Sequence, residues 1–237
     1  MPTPEQLTRT HQKATRRVAD GVVAQLTSML RSADLSNIDE WFLANEGKII
    51  NLIRAGWQSN RNLAAIYLRD HAAASDSYIQ VRDALFELAR VRTSMLVTGP
   101  VAFKRAISAG HPPAVARRMM SEAITGSAFR HAINGSRDTV MESIRRSSTA
   151  LGYRRVSDGN PCAFCAMLIS RGGVYSKETA KFEAHDRDGC LPEPLYRKRP
   201  EPESVLKLQK LWEDSTSGLS GKAAIAAFRA AYRNYKP

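Results

Sequence analysis

Tyr153-Arg154-Arg155-Val156-Ser157-Asp158-Gly159-Asn160-Pro161-Cys162-Ala163-Phe164-Cys165 is the stretch at which a chain of helical texture changes character. Residues 154–157 read as a short strand, 158–161 as a turn cluster, and Cys165 to Ile169 as a short apolar helix that Gly172-Gly173 terminates. Val174-Tyr175-Ser176 reads as a returning strand, after which Leu191-Pro192-Glu193-Pro194-Leu195-Tyr196 extends away. Segments this short cannot bury a core of their own, so something else must clamp them.

The same stretch holds the clamp. All three cysteines of the chain, and one of its five histidines, fall in the order Cys162-x2-Cys165-x19-His185-x4-Cys190. A C-x2-C turn brings two thiolates to one metal ion, and a distant His and Cys complete a tetrahedral shell, so this spacing predicts a zinc site. Three cysteines cannot all pair as disulfides, and the sequence shows no signal peptide or other targeting segment. Burial as small apolar groups is the competing reading. Confinement to one Gly/Pro-rich stretch with a matching His favours metal.

Four ligands predict a closed, structural zinc rather than a catalytic one, which keeps a position open for water. Pro161-Cys162-Ala163-Phe164-Cys165 matches half of the nucleobase-deaminase signature, but the upstream histidines stand in His111-Pro112-Pro113 and His131-Ala132-Ile133, not in H-x-E. H-E-x-x-H, G-x-S-x-G and G-x4-G-K-[ST] are absent; Gly218-Leu219-Ser220-Gly221-Lys222 is followed by Ala223 where a hydroxyl is required, and Ser220 reads as a helix cap. Scattered groups such as Ser136 and His131 give no catalytic pattern in sequence alone.

The 237 residues are 43% hydrophobic, enough for one sizeable core or two small ones, and no apolar run approaches the ~20 residues of a membrane span. With 35 Lys+Arg against 23 Asp+Glu the formal charge is +12, which attracts polyanions or acidic protein surfaces. The basic residues come as Arg16-Arg17, Arg117-Arg118, Arg145-Arg146, Arg154-Arg155 and Arg197-Lys198-Arg199, a pattern of solvated faces without any DNA-reading motif. Charge alone supports non-specific contact with phosphate backbones, weakening steeply with salt.

Upstream, Thr3 caps a helix over residues 4–31 with Pro4 in its first turn. A second helix is expected over 37–74, where Ile49, Leu52, Ile53, Gly56 and Trp57 share a face and Trp41 and Trp57 serve as core anchors. Tyr78, Val81, Leu85 and Leu88 predict a helix over 77–96, which Thr98-Gly99-Pro100 breaks. Gly110-His111-Pro112-Pro113 is another break, and residues 113–149 are helical, with Asn134-Gly135 expected to divide them in two. Downstream, a short charged helix spans 202–212, residues 214–218 form a linker, and a final helix carries Ile225, Phe228, Tyr232 and Tyr235 on one stripe, as a lid or a partner-binding arm.

The expected fold is therefore mainly α. An N-terminal helical arm (1–36) and a helical body (37–152) precede a small α+β zinc-knuckle-like module (153–196) and a C-terminal linker with helices (197–237).

Residues 152–175, followed by Phe182-Glu183-Ala184-His185-Asp186, resemble the minor head proteins of tailed phages of actinobacteria, which are similar to the phage Mu protein F family. Thr98-Gly99-Pro100-Val101 and residues 134–139 add to the resemblance, which covers roughly residues 40–196. It implies a structural virion component made in the host cytoplasm, present in few copies inside the head and associated with the portal. The portal protein and the major capsid protein or scaffold would be its partners, packaged DNA a further contact, and no membrane is involved. Many such proteins also carry the label capsid maturation protease, so a protease is the runner-up and an independent nucleic-acid-binding module the third reading. The family commonly ends its motif as H-x-x-C-x-C, whereas Asp188 stands here where the first of those cysteines would fall. Cys190 is then expected as fourth ligand, with Asp188 or Asp186 as oxygen alternatives or as hydrogen-bond partners of His185.

Overall fold

The computed structural model describes residues 2–157, 159, 161–177 and 182–235. The expected turn at 158–161 falls partly outside these residues, at Asp158 and Asn160.

Three long helices, α1 (Pro4–Arg31), α2 (Ile38–Ala73) and α5 (Pro113–Arg145), pack against one another. Thr3 opens α1 with a reciprocal capping box: its hydroxyl accepts from Gln6 N–H, and the Gln6 side chain accepts from Thr3 N–H. From α1, Ala19, Val22, Leu26 and Leu30 meet Ile49 and Ile53 of α2 and Met120, Ile124, Ala128 and Ala132 of α5. Trp57 is buried as expected, and Trp41 is half-buried against the same core.

Residues 113–145 form one helix; Asn134-Gly135 does not divide it. A Cβ at Gly135 would lie 2.0 Å from the Trp57 carbonyl oxygen, and one at Gly56 would lie 2.5 Å from a Val22 methyl. Gly135 lets two helix backbones touch and Gly56 makes room for the Val22 side chain, and that packing outweighs their low helix propensity. Asn60 fixes the crossing by donating to the Ala132 carbonyl at 2.9 Å.

The helix expected over 77–96 begins only at Leu88, and α3 is Leu88–Leu96. Residues 78–87 run without regular structure along α2 and α5, where Phe86 meets Trp57 and Arg54, with Tyr78 and Leu85 exposed. Their backbone groups are satisfied by side chains: Arg82 N–H donates to Ser143 Oγ at 2.9 Å, and the Thr149 hydroxyl donates to the Tyr78 carbonyl at 2.5 Å. The expected break at Gly99 is a kinked wide helical turn (Val97–Val101) leading into α4 (Ala102–Ser108).

The remaining elements are β1 (Gly152–Val156), α6 (Ala163–Ile169), β2 (Tyr175–Ser176) and β3 (Leu191–Leu195), then α7 (Glu203–Thr216) and α8 (Gly221–Asn234). Residues 191–195 do not extend away: they form β3, an edge strand of an antiparallel sheet in the order β2-β1-β3, with Pro192 opposite Arg155 and Pro194 opposite Tyr153. Prolines discourage a central strand and are admitted at an edge. The expected linker at 214–218 is likewise partly helical, because α7 continues to Thr216. Ser220 occupies the N-cap position of α8 without a side-chain cap bond.

The tail is a lid. Val205 and Leu208 of α7 and Phe228 of α8 close over Cys165, Ala166, Ile169 and Cys190, and the Tyr232 hydroxyl donates to the Pro161 carbonyl at 2.7 Å. No helix among the described residues is long and apolar enough to cross a membrane.

Candidate metal centre

Cys162 is the N-cap of α6, and its sulfur accepts from Cys165 N–H at 3.4 Å, so the first turn of the helix sets both sulfurs on one side. His185 comes back from the loop before β3. Its Nδ1–H donates to the Asp186 carbonyl at 2.7 Å, which turns Nε2 toward the sulfurs, 3.0 Å from Cys162 Sγ and 3.5 Å from Cys165 Sγ. A backbone carbonyl holding the far ring nitrogen is how metal-ligating imidazoles are commonly oriented.

The donor atoms of Cys162, Cys165 and His185 lie within 4.8 Å of one another, as do those of Cys165, Asp188 and Cys190. Cys165 belongs to both groups, so Cys162 and His185 approach it in one and Cys190, with Asp188, in the other; the four expected donor atoms do not form a single group within 4.8 Å. All three cysteines are free thiols. Two or three sulfurs and an imidazole nitrogen suit a borderline-soft transition ion.

The thiols are not equivalent. A hydrogen bond from Cys190 holds the Cys165 thiol down at about 7, and the same bond together with burial pushes Cys190 far up. Burial lowers His185, but the Asp186 carbonyl and Cys165 more than restore it. Cys162 is exposed, Cys165 and Cys190 buried.

Asp188 sits beside these sulfurs but faces arginines. It is 3.3 Å from Arg155 Nη1 and 3.6 Å from Arg137 Nη2, and its Oδ1 accepts from Cys190 N–H at 2.8 Å. Arg137 also donates through Nε to the Cys190 carbonyl at 2.9 Å and through Nη2 to the Asp188 carbonyl. Phe182 lies under the Arg155 guanidinium, 3.8 Å from its centre. Burial alone would raise Asp188, but Arg137 and the Cys190 N–H hold it below the usual carboxylate range. Asp186 is half-exposed and paired with Arg130 at 2.7 Å.

Arg154-Arg155 is therefore no solvated pair. Arg154 projects into a second buried network, where it makes a two-pronged bond to Glu193 (2.7 and 3.0 Å) that also meets His71 at 3.3 Å. Sequence reading missed Arg137, Arg154, Arg155 and Glu193 as site-building residues. Their one visible signal was a charged pair inside a predicted strand, flanked by Tyr153 and Val156.

The serine and histidine set aside in the sequence do not meet each other: Ser136 bonds His11 of α1 at 2.8 Å instead of His131. Both partners are buried between helices, with His11 stacked on Tyr67 at a centroid distance of 4.3 Å. Burial, with His71 nearby, lowers His11 to about 3, so it is neutral near pH 7 but shut away from any substrate.

A family model described as VG15 protein matches residues 1–215, from the first helix through the cluster and most of α7. The chain belongs to the VG15 family. This is a viral family with phage members, and the chain is accordingly a phage protein. No curated protein and no solved structure matches it. The VG15 match takes in all four cluster residues, both arginines on Asp188 and the helix bundle beneath them.

Proposed function

We propose that this VG15 protein is a structural minor head protein of a tailed phage, of the phage Mu protein F-like kind, inside the head beside the portal. The supporting observation is the construction of the Cys/His cluster. The cluster joins α6, the loop before β3 and the tail lid, as a clamp does, and its buried sulfurs lie beneath α7 and α8 rather than at the floor of a cleft. Bound zinc would supply structural cross-linking there, through Cys162, Cys165, His185 and Cys190. The formal charge of +12 suits a place near packaged DNA, touching phosphates without reading sequence.

A capsid maturation protease is the runner-up reading. It requires an accessible nucleophile and base, and the buried Ser136–His11 pair does not meet that requirement. The test is genetic. Phage carrying Cys162→Ser should assemble heads that lack the protein yet contain normally processed capsid protein. Unprocessed capsid protein in a Ser136→Ala phage would reverse the reading. A salt titration of DNA binding completes it: affinity that does not fall with salt would remove the phosphate contact.

A further inference from the structure

Two buried guanidinium groups share one buried carboxylate at the cluster. Arg137, Arg155 and Asp188 are each no more than 3% exposed. Burying charge without a counter-charge is costly, so arginines in such a place need an anion beyond Asp188. Asp138 interacts with Arg137 from an exposed position, but desolvation pushes its carboxyl up to about 6, which weakens it as a counter-charge; Asp186 already pairs with Arg130. The other groups able to carry charge beside them are sulfurs: Cys190, whose carbonyl Arg137 holds, acts electrostatically on Arg137, and Cys165 interacts with Arg155, both sulfurs sharing a 4.8 Å group with Asp188.

A divalent ion held by three thiolates and a neutral imidazole carries one net negative charge. We propose that Arg137 and Arg155 are the counter-ions of such an anionic centre, formed by Cys162, Cys165, Cys190 and His185, and that Asp188 is a positioning residue, not a ligand. This rests on the reading that the cluster binds zinc. With Asp188 outside the shell, the two arginines are balanced by one carboxylate and one anionic centre. With Asp188 as ligand in place of Cys190, its charge is used on the metal and the arginines are left one counter-charge short. The hydrogen bonds agree. Both Asp188 oxygens are engaged, Oδ1 by Cys190 N–H at 2.8 Å and Oδ2 by Arg155 at 3.3 Å, so the side chain holds the Cys190 backbone in place. Arg137 fixes the carbonyls on either side of Gly189 from α5, a helix that supplies no ligand. The residue that replaces the motif cysteine thus becomes the link between a metal loop and the bundle.

The experiment is cobalt(II) substitution of the full-length protein. Near-ultraviolet thiolate-to-cobalt charge transfer counts the sulfur ligands, and its growth on titration gives affinity. The unaltered protein should bind one cobalt with three-thiolate intensity, and Cys190→Ser should fall to two. Asp188→Asn should keep the three-thiolate spectrum while binding about 10- to 100-fold more weakly. Arg155→Gln should weaken binding similarly, and Arg155→Lys should recover it. A two-thiolate spectrum in the unaltered protein, which needs no variant to fold, would overturn the ligand set. Undiminished affinity in Arg155→Gln would overturn the counter-ion role. Absence of stoichiometric cobalt would overturn both this inference and the zinc reading beneath it, whereas a two-thiolate spectrum leaves metal binding standing.

Discussion

Gly135 of α5 rests directly on the main chain of Trp57 in α2, so close that a Cβ would come within 2.0 Å of the Trp57 carbonyl oxygen. Backbone cannot yield as the end of a flexible side chain can. Gly135→Ala must push two long helices apart or fail to fold, although alanine is the better helix former. The expected loss is about 1–3 kcal/mol or more, read from the urea midpoint. Gly47→Ala, where a Cβ meets nothing within 4 Å, is the control and should hold or gain stability.

Glu193 should be among the costliest single substitutions in the sheet. Its carboxylate takes both prongs of Arg154 and lies 3.3 Å from His71, and both side chains are almost wholly buried. Glu193→Gln removes the carboxylate that Arg154 bonds directly and leaves its guanidinium only the more distant Glu201 at 3.6 Å and Glu5 at 4.0 Å. A loss of about 3–5 kcal/mol is expected from chemical denaturation. A loss below about 1 kcal/mol would show that water reaches this network.

Acid should unfold the bundle through its histidines. Burial, helped by His71 for His11 and by Arg130 for His131, lowers both to about 3 in the folded chain. The unfolded chain takes up these protons first, near the ordinary value of about 6.5. Stability is therefore intact above that pH and lost as pH falls from there toward 3, by the order of a few kcal/mol per histidine. Urea midpoints between pH 7 and pH 4 should fall less steeply for His131→Gln than for the unaltered protein. Parallel slopes would remove His131 from the account.

Chelation should act locally. Stripping metal is expected to speed amide hydrogen exchange over 163–169 and 191–195 and in the α7–α8 lid, while α2 and α5 stay protected at their crossing. Uniform exchange before and after chelation would show that the module holds itself together without metal.

The helix bundle was legible because α1 and α2 carry their apolar residues on one stripe, with Thr3 and Pro4 marking the start. The center of α5 was not, because a helix surrounded by protein buries residues such as Ser136, Arg137 and Thr139 on several faces, and its Gly135 has the composition of a break. Residues 77–87 misled in the opposite direction, since helical spacing says nothing about side chains elsewhere, such as Ser143, that satisfy an extended backbone. The Cys162, Cys165, His185 and Cys190 spacing located the cluster because ligand geometry is written locally. The buried charges around it were hidden, since pairing of Arg154 with Glu193 or of Arg155 with Asp188 depends on strand partners distant in sequence.

That dependence has a consequence for synthesis on the ribosome. β1 is the middle strand, yet the carboxylate that takes both prongs of Arg154 is 39 residues further along the chain. A nascent chain that has emerged only as far as α6 holds the arginines but neither Asp188 nor Glu193, so the sheet has nothing to close on. The bundle can collapse during translation, whereas the sheet can assemble only after residue 195 has cleared the exit tunnel. A stall between these points would leave a folded platform carrying an unfinished, thiol-bearing arm.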